Sequence, residues 1–587
     1  MNKNYPIYKT TFIDDMRSLV ENAAKNYPDR TAISYKVHPS DKEVVHVGFP
    51  QWRDDVRNLG TALIEAGLRE KTIALIGENS YGWCCSYFGI MAIGSVVVPV
   101  DKELAEVDIQ GIISTTECEA VIFGKTSEAK VLSIMPKLKT VKHYYSIEET
   151  SAIEGAVSLR SLMDDGGRMV EEGNNSYYDY KIDPNKLASI VFTSGTTGKG
   201  KGVMLSQANI GLDMTCGMYN FAITMKTLHV LPPHHTFGST VNYVGHLSQG
   251  CEVYITSGLK YISDEMHDQH PTHLILVPAF VETMYKKVWY NAKKAGKEKL
   301  LRKMISFSNG LRKLGIDIRR KLFSSVLEAF GGKLEMIICG GAPLDEEIIQ
   351  TFESFGITIL NGYGITECAP LISANRNLYQ KRGSVGTPIL GCQVRIDSPD
   401  EEGNGEICVK GPNVMLGYYK NLEATAAAFD KDGSFHTGDF GHLDDEGWIY
   451  ITGRLKNLII LSNGKNVYPE EIEADIQKIE GTGEVVVYAG ESKVQKDKIL
   501  IIAEIFPNED VMKEKGIANP KEYFEKEIQK LNARMPSYKA VKQVKIRKTE
   551  FEKNTSRKIV RFAIDKSIEG EKVKKRSNKS KKRKRAA

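Results

Sequence analysis

At 587 residues the chain is longer than one hydrophobic core supports, so at least two domains are expected, and 41% hydrophobic residues suffice to fill them. The formal charge of +5 is unevenly spread: residues 572–585 (KVKKRSNKSKKRKR) hold ten Lys/Arg and no acid, which leaves the remainder near −5. Nine cysteines with no C-x-x-C pair and no His cluster at ligand spacing exclude a disulfide framework and a zinc site, and fit a reducing cytosol.

The opening residues (MNKNYPIYKTTFIDDMRSL) carry no apolar run of the signal-peptide kind, and the most apolar stretch, 88–100, is too short to span a bilayer. A cytoplasmic protein is expected, with any membrane contact peripheral. From Asp14 onward, helical periodicity alternates with short β-branched runs. Residues 14–27 and 52–67 read as helices, and TAISYK (31–36) and KTIALIG (71–77) as strands. CEAVIFG (118–124), SIVFT (189–193), THLILVP (272–278) and KLEMIICGG (333–341) read as short buried strands that each end in a turn or glycine. The expected class is α/β, with a large N-terminal domain of two doubly wound sheet subdomains. In such folds ligands gather beyond the carboxyl ends of the strands.

Residues 193–202 (TSGTTGKGKG) combine four glycines, three threonines, a serine and two lysines. Glycine accepts positive φ and has no side chain, so successive N–H groups can turn toward one anion. Thr193, Ser194, Thr196 and Thr197 add hydroxyl donors, and Lys199 and Lys201 add charge. Gly195 to Lys201 fits G-x-x-x-x-G-K, but Gly202 stands where a P-loop needs its Mg²⁺-binding Ser/Thr. Val203–Leu205 then continues as a strand and Ser206 reads as the N-cap of the next helix, so strand, loop, strand is expected.

Between 385 and 450 the texture changes to Gly-punctuated β runs, GEICVKG (405–411) and WIYITG (448–453), suggesting a small β-barrel. After Arg454, the segments NLIILSNG, GEVVVYAG and KILIIAEIF, with helices from Pro469 and around 524–535, predict a small α+β C-terminal domain. Domains are therefore expected at 1–454 and 455–566. The basic tail 567–587 is expected to be disordered by self-repulsion, with anionic membrane or nucleic acid as the contact it suits.

Further stations carry chemistry. Gly340, Gly341, Ala342 and Pro343 follow a strand and offer backbone to a purine edge. In NGYGITECAP (361–370), Tyr363, Thr366 and Glu367 are read on one turn: a ring to stack on a base, a hydroxyl for phosphate and a carboxylate for Mg²⁺. Asp439 is read in a tight turn, where its carboxylate can accept both hydroxyls of a ribose, with Arg454 on another turn adding donors. In KTEFEKNTSRKIVR (548–561), Lys558 stands beside Arg557 on a short polar loop.

These segments, in this order, resemble the adenylate-forming superfamily over about residues 10–566, and most resemble bacterial long-chain acyl-CoA synthetases through LEMIICGGAPL, SNGKNVYPEEIE and the FEK-type ending. The resemblance implies a phosphate loop at Thr193, Ser194, Gly195, Thr196, Thr197, Gly198 and Lys201. It implies adenine contacts at Gly341, Ala342, Asn361, Gly362 and Tyr363, and ribose contacts at Asp439 and Arg454. Lys456 becomes the hinge of a mobile C-terminal domain. Catalysis would rest on Lys558, Thr366, Glu367 (also the metal ligand) and His235, the gate of an acyl-pocket motif LPPHHTFGSTVNY (231–243). The implied reaction activates a medium- to long-chain fatty acid with ATP and Mg²⁺, then transfers the acyl group to coenzyme A, with acyl carrier protein as the alternative acceptor.

Two positions depart from the family pattern: Gly200 replaces a proline, which should loosen the loop, and Arg557 replaces a glycine before Lys558. Lys553 is the lysine most easily mistaken for Lys558. Amino-acid-activating relatives place an acid after the residue matching Phe237, whereas Gly238 stands here, and burying an unpaired ammonium is costly. The pocket segments, 237–250 and 277–284, read as largely apolar. A binding protein acting through its tail with an inactive body is the reading from a different class.

Overall fold

The structure is a computed structural model that describes residues 7–193, 200–461, 465–491, 499–553 and 559–568. The chain divides into two compact units, Met1–Thr437 with His442–Tyr450, and Gly438–Gly441 with Ile451–Ala587.

The first unit is built on two large mixed sheets. One has eight strands, in the order Gly417–Tyr418, Lys201–Ser206, Leu187–Thr193, Val96–Val100, Thr72–Ile76, Ala120–Phe123, His143–Ser146, Val157–Ser158. Thr72–Ile76 pairs in parallel with both Val96–Val100 and Ala120–Phe123, and these runs are apolar along their length because helices cover both faces. The expected helices form at Met16–Asn26, capped by the Asp15 carboxylate, and at Phe49–Glu65, with Pro50 in its first turn.

The second sheet has nine strands, and its central run Thr358–Gly364, Met336–Cys339, His273–Leu276, Lys226–His229 is parallel. The carboxyl ends of these strands (Gly364, Cys339, Leu276, His229) therefore lie along one edge. The Gly-punctuated region expected to be barrel-like is organised around a four-stranded sheet, with Gln393–Asp397 antiparallel to Gly405–Lys410.

The second unit is α+β. Thr482–Glu491 pairs antiparallel with Ile499–Pro507, which pairs in parallel with Gln543–Ile546. Helices Pro469–Gln477 and Pro520–Asn532 bring Ile472, Ile476, Phe524 and Ile528 into one core with Val485, Val487, Ile501 and Ile505. Among the described residues no helix is long and apolar enough to cross a membrane.

Candidate active site

The glycine-rich segment is flanked by antiparallel strands, Leu187–Thr193 and Lys201–Ser206, with Thr193 opposite Lys201. Ser206 caps the helix Gln207–Gly217 through a reciprocal pair with Asn209. Ser194, Gly195, Thr196, Thr197, Gly198 and Lys199 lie outside the described residues. The expectation that Gly200 loosens the loop meets a stricter geometry: a Cβ there would lie 2.6 Å from the Thr193 carbonyl oxygen, so the close approach of the two arms requires glycine.

The outgoing strand leads to Glu367. Tyr418 pairs with Val203, Tyr419 N–H donates to the Gly202 carbonyl at 2.7 Å, and Met415 N–H donates to the Glu367 carbonyl at 2.8 Å. Lys201 Nζ lies 4.5 Å from the Tyr418 ring centroid, and the Tyr418 hydroxyl donates to Glu367 Oε1 at 3.0 Å. Burial and the Glu367 carboxylate push the Tyr418 phenol above its usual range, which keeps it a donor. A chain of contacts thus joins the lysine of the glycine-rich loop to the carboxylate at 367. Nothing in the sequence local to 417–419 marks Tyr418 for this place.

Thr366 and Glu367 lie on a short 3-10 turn, Thr366–Cys368, but Tyr363 does not share it. Tyr363 sits near the end of the strand Thr358–Gly364, opposite Ser373, with its side chain largely buried; the GYG run extends the strand by pairing antiparallel with Leu371–Ala374. Behind this turn Asn413 Nδ2 donates to the carbonyls of Cys368 (3.1 Å) and Leu371 (2.6 Å), and Leu371 N–H reaches the buried Asp213 carboxylate. Gly341 and Ala342 are exposed just beyond Met336–Cys339, and Asn361 lies opposite Cys339 on the neighbouring strand. A Cβ on Gly340 would sit 3.3 Å from the Gly362 carbonyl and 3.5 Å from the Phe237 ring, so the 340, 362 and 237 stations adjoin.

His235 is half-buried, its ring 4.4 Å from that of His234, and its carbonyl accepts from Gly238 and Ser239. His234 Nε2 lies 3.5 Å from Asp101, while burial holds its imidazole below the usual range. The segment Phe237–Gly245 winds as a π-helix, a form that is rare and concentrated at functional sites. The region expected to be largely apolar also buries polar groups. Asn242 on this segment and His246 just after it, with Thr227 and His273 on the paired strands Lys226–His229 and His273–Leu276, carry side-chain atoms that lack hydrogen-bond partners among the described residues. Hydropathy averages over a window and cannot register one polar face inside an apolar segment.

Burial pushes His229 down to about 3 and His246 down to about 4, and pushes the stacked His273 well below its usual range. The unfolded chain takes up these protons near 6.5, so the stability they confer is present above that pH and is lost as pH falls. At pH 5 each neutral imidazole is expected to cost about 2 kcal/mol of folding stability. Urea midpoints measured at pH 5 and at neutrality check this; equal midpoints contradict it.

In the second unit Asp439 and Arg454 meet, with Arg454 Nε 2.8 Å from Asp439 Oδ1. Asp439 lies within the strand Phe435–Leu443 rather than in a tight turn, because Gly438, at φ +70°, is accommodated inside the strand. Arg454 ends the strand Ile449–Arg454, and Lys456 is exposed on the 3-10 turn Leu455–Asn457 that follows. Lys558 lies outside the described residues, just before Ile559, which bridges Lys553. Lys553 is itself held by Glu484 and by Glu550 at 2.9 Å.

Over nearly its whole length the chain shares its fold with solved structures. ATP-bound MatB from Rhodopseudomonas palustris superposes with a TM-score of 0.73 at 22% identity, covering 94% of this chain and 98% of its own. An o-succinylbenzoate–CoA synthetase (MenE) from Bacillus subtilis, in complex with ATP and magnesium, gives 0.68 at 20% identity, covering 93% and 98%. The chain belongs to the AMP-binding enzyme family, whose model matches residues 20–419. Long-chain-fatty-acid–CoA ligase 6 of Mus musculus is 28% identical over 489 residues, 77% of this chain and 68% of the relative.

Proposed function

We propose that this AMP-binding enzyme is an acid–CoA ligase that activates a medium- to long-chain fatty acid as its acyl adenylate and transfers it to coenzyme A. The Lys201–Tyr418–Glu367 chain carries the reading, because it links Lys201, where the strand after the glycine-rich segment begins, to a carboxylate of the kind the chemistry requires. The similarity to long-chain fatty acid ligases supports the acyl class at 28% identity.

The acid's carboxylate attacks the α-phosphorus of ATP, the bond to pyrophosphate breaks, and a thiol then attacks the acyl carbonyl and expels AMP. Donors of residues 193–201 hold the departing phosphates, and the Thr366 hydroxyl donates to phosphate. Gly341, Ala342 and Asn361–Tyr363 receive the adenine, and Asp439 with Arg454 the ribose. His235 lies by the acyl carboxylate, and Lys558 neutralises charge where carboxylate and phosphate meet. Lys456 is the pivot on which the domain at 455–566 exchanges its adenylating face for its thioester-forming one.

Among the described residues no group of three or more His, Cys, Asp or Glu could hold a metal ion. A Mg²⁺ ion bound mainly through substrate phosphates and water needs only one or two carboxylates, and Glu367 fits that need. When bound, Mg²⁺ supplies positive charge to the phosphates.

Pyrophosphate release is expected to require both ATP and a fatty acid, with acyl-CoA formed when coenzyme A is the thiol. A panel of carboxylic acids of graded length, run with coenzyme A and separately with acyl carrier protein, tests this. Acyl-carrier protein without acyl-CoA overturns the acceptor, and pyrophosphate release only with amino acids overturns the substrate.

A further inference from the structure

After the strand His273–Leu276 the first unit carries a helical hairpin, Pro278–Lys294 and Glu298–Lys313. Its inner face is accounted for: Val288, Trp289, Ala292, Leu301, Met304 and Ile305 pack with Phe323 and Phe355. Its outer face is not polar in the way a solvated helix is. Leu300, Phe307 and Leu314 are 54%, 60% and 76% exposed; their seven-residue spacing puts Leu300 and Phe307 in one stripe along the second helix, which Leu314 continues at its C-cap. Tyr290, 64% exposed, stands outward on the first helix, with Lys286, Lys287 and Lys294 one turn away on the same face. Residues 286–313 hold ten Lys/Arg against a single acid, Glu298.

Single exposed apolar residues need no explanation, but a stripe of them flanked by lysines on paired amphipathic helices does. Helices that lie in a membrane interface have this composition: aromatic and leucine side chains that enter the acyl boundary, with lysines toward anionic headgroups. Nucleic acid would use the lysines and leave Leu300, Phe307 and Leu314 in water. We propose that the outer face of the hairpin 278–313 is a docking surface for an anionic lipid bilayer, separate from the basic tail.

The test is co-sedimentation of the full chain, and of a chain ending at 571, with vesicles of phosphatidylcholine alone or mixed with phosphatidylserine. Both chains are expected to bind the mixed vesicles and neither the phosphatidylcholine ones. L300S/F307S/L314S, which alters only exposed side chains, is expected to weaken binding of the shortened chain at least tenfold without changing its circular dichroism. K286E/K287E/K294E is expected to do the same at low salt. The proposal is overturned if removal of 572–587 alone abolishes vesicle binding, if the triple serine variant binds as the parent does, or if single-stranded RNA binds the shortened chain and the vesicles do not.

Discussion

Replacing Lys558 by alanine is expected to slow acyl-adenylate formation by about 10²–10³-fold, the usual loss when one preorganised group leaves a developing charge unmatched. The same change at Lys553 is expected to cost less than about threefold on that scale. Burial works to lower the Lys553 ammonium, but hydrogen bonds to Glu484 and Glu550 outweigh it and hold the group above its usual range. A lysine committed to two carboxylates is a structural cation. Pyrophosphate release, measured for both variants, checks the contrast; a loss confined to Lys553→Ala overturns the assignment. The second half-reaction adds a further reading. Lys558→Ala supplied with preformed acyl adenylate is expected to make thioester at close to the parent rate, and equal loss of both halves contradicts the use of two faces.

The second large effect falls at Gly238. A Cβ there would lie 2.1 Å from the Pro232 carbonyl oxygen and 3.2 Å from Pro233 Cα, both backbone atoms that cannot swing aside. The residue is also clamped: its N–H donates to the His235 carbonyl at 2.8 Å, and its own carbonyl contacts His229 Nε2 at 2.9 Å. Gly238→Ala is expected to cost about 3 kcal/mol, in the range of an overpacked core. Gly238→Asp is expected to cost at least as much and to confer no activity on amino acids. Urea denaturation and an amino-acid-dependent pyrophosphate assay check both; a stable Asp variant that activates amino acids overturns the account. The expected exclusion of amino acids would then rest on the backbone path at 232–238 as well as on a missing carboxylate.

Much of this organisation was legible in the chain because it is written locally. The flanks of the glycine-rich loop are β-branched, Ser206 and Asn209 stand at capping-box spacing, and the helices at 16–26 and 49–65 follow apolar periodicity. What escaped reading depends on distance or on context. Tyr418 reaches Glu367 across 51 residues of sequence, and no pattern within its own segment marks it. Gly438 has the residue type of a turn but sits within a strand, which moved Asp439 out of the turn expected for it. Local spacing groups Tyr363 with the turn of its neighbours, because its pairing with Ser373, ten residues on, leaves no local mark. The buried imidazoles at 229, 246 and 273 come together only when three separate segments pack.

Asp439 and Arg454 belong to one compact unit, while residues 442–450 between them belong to the other. The smaller unit is therefore discontinuous in sequence and cannot be severed by one cut. A fragment beginning at Ile451 carries Arg454 and Tyr468 but leaves behind Asp439, the carboxylate on that guanidinium, and Phe440, whose ring packs 5.4 Å from Tyr468. Expressing this unit alone requires grafting the four-residue segment Gly438–Gly441 back onto it, and a gene fusion that treats 451 as a clean boundary divides an ion pair between two proteins.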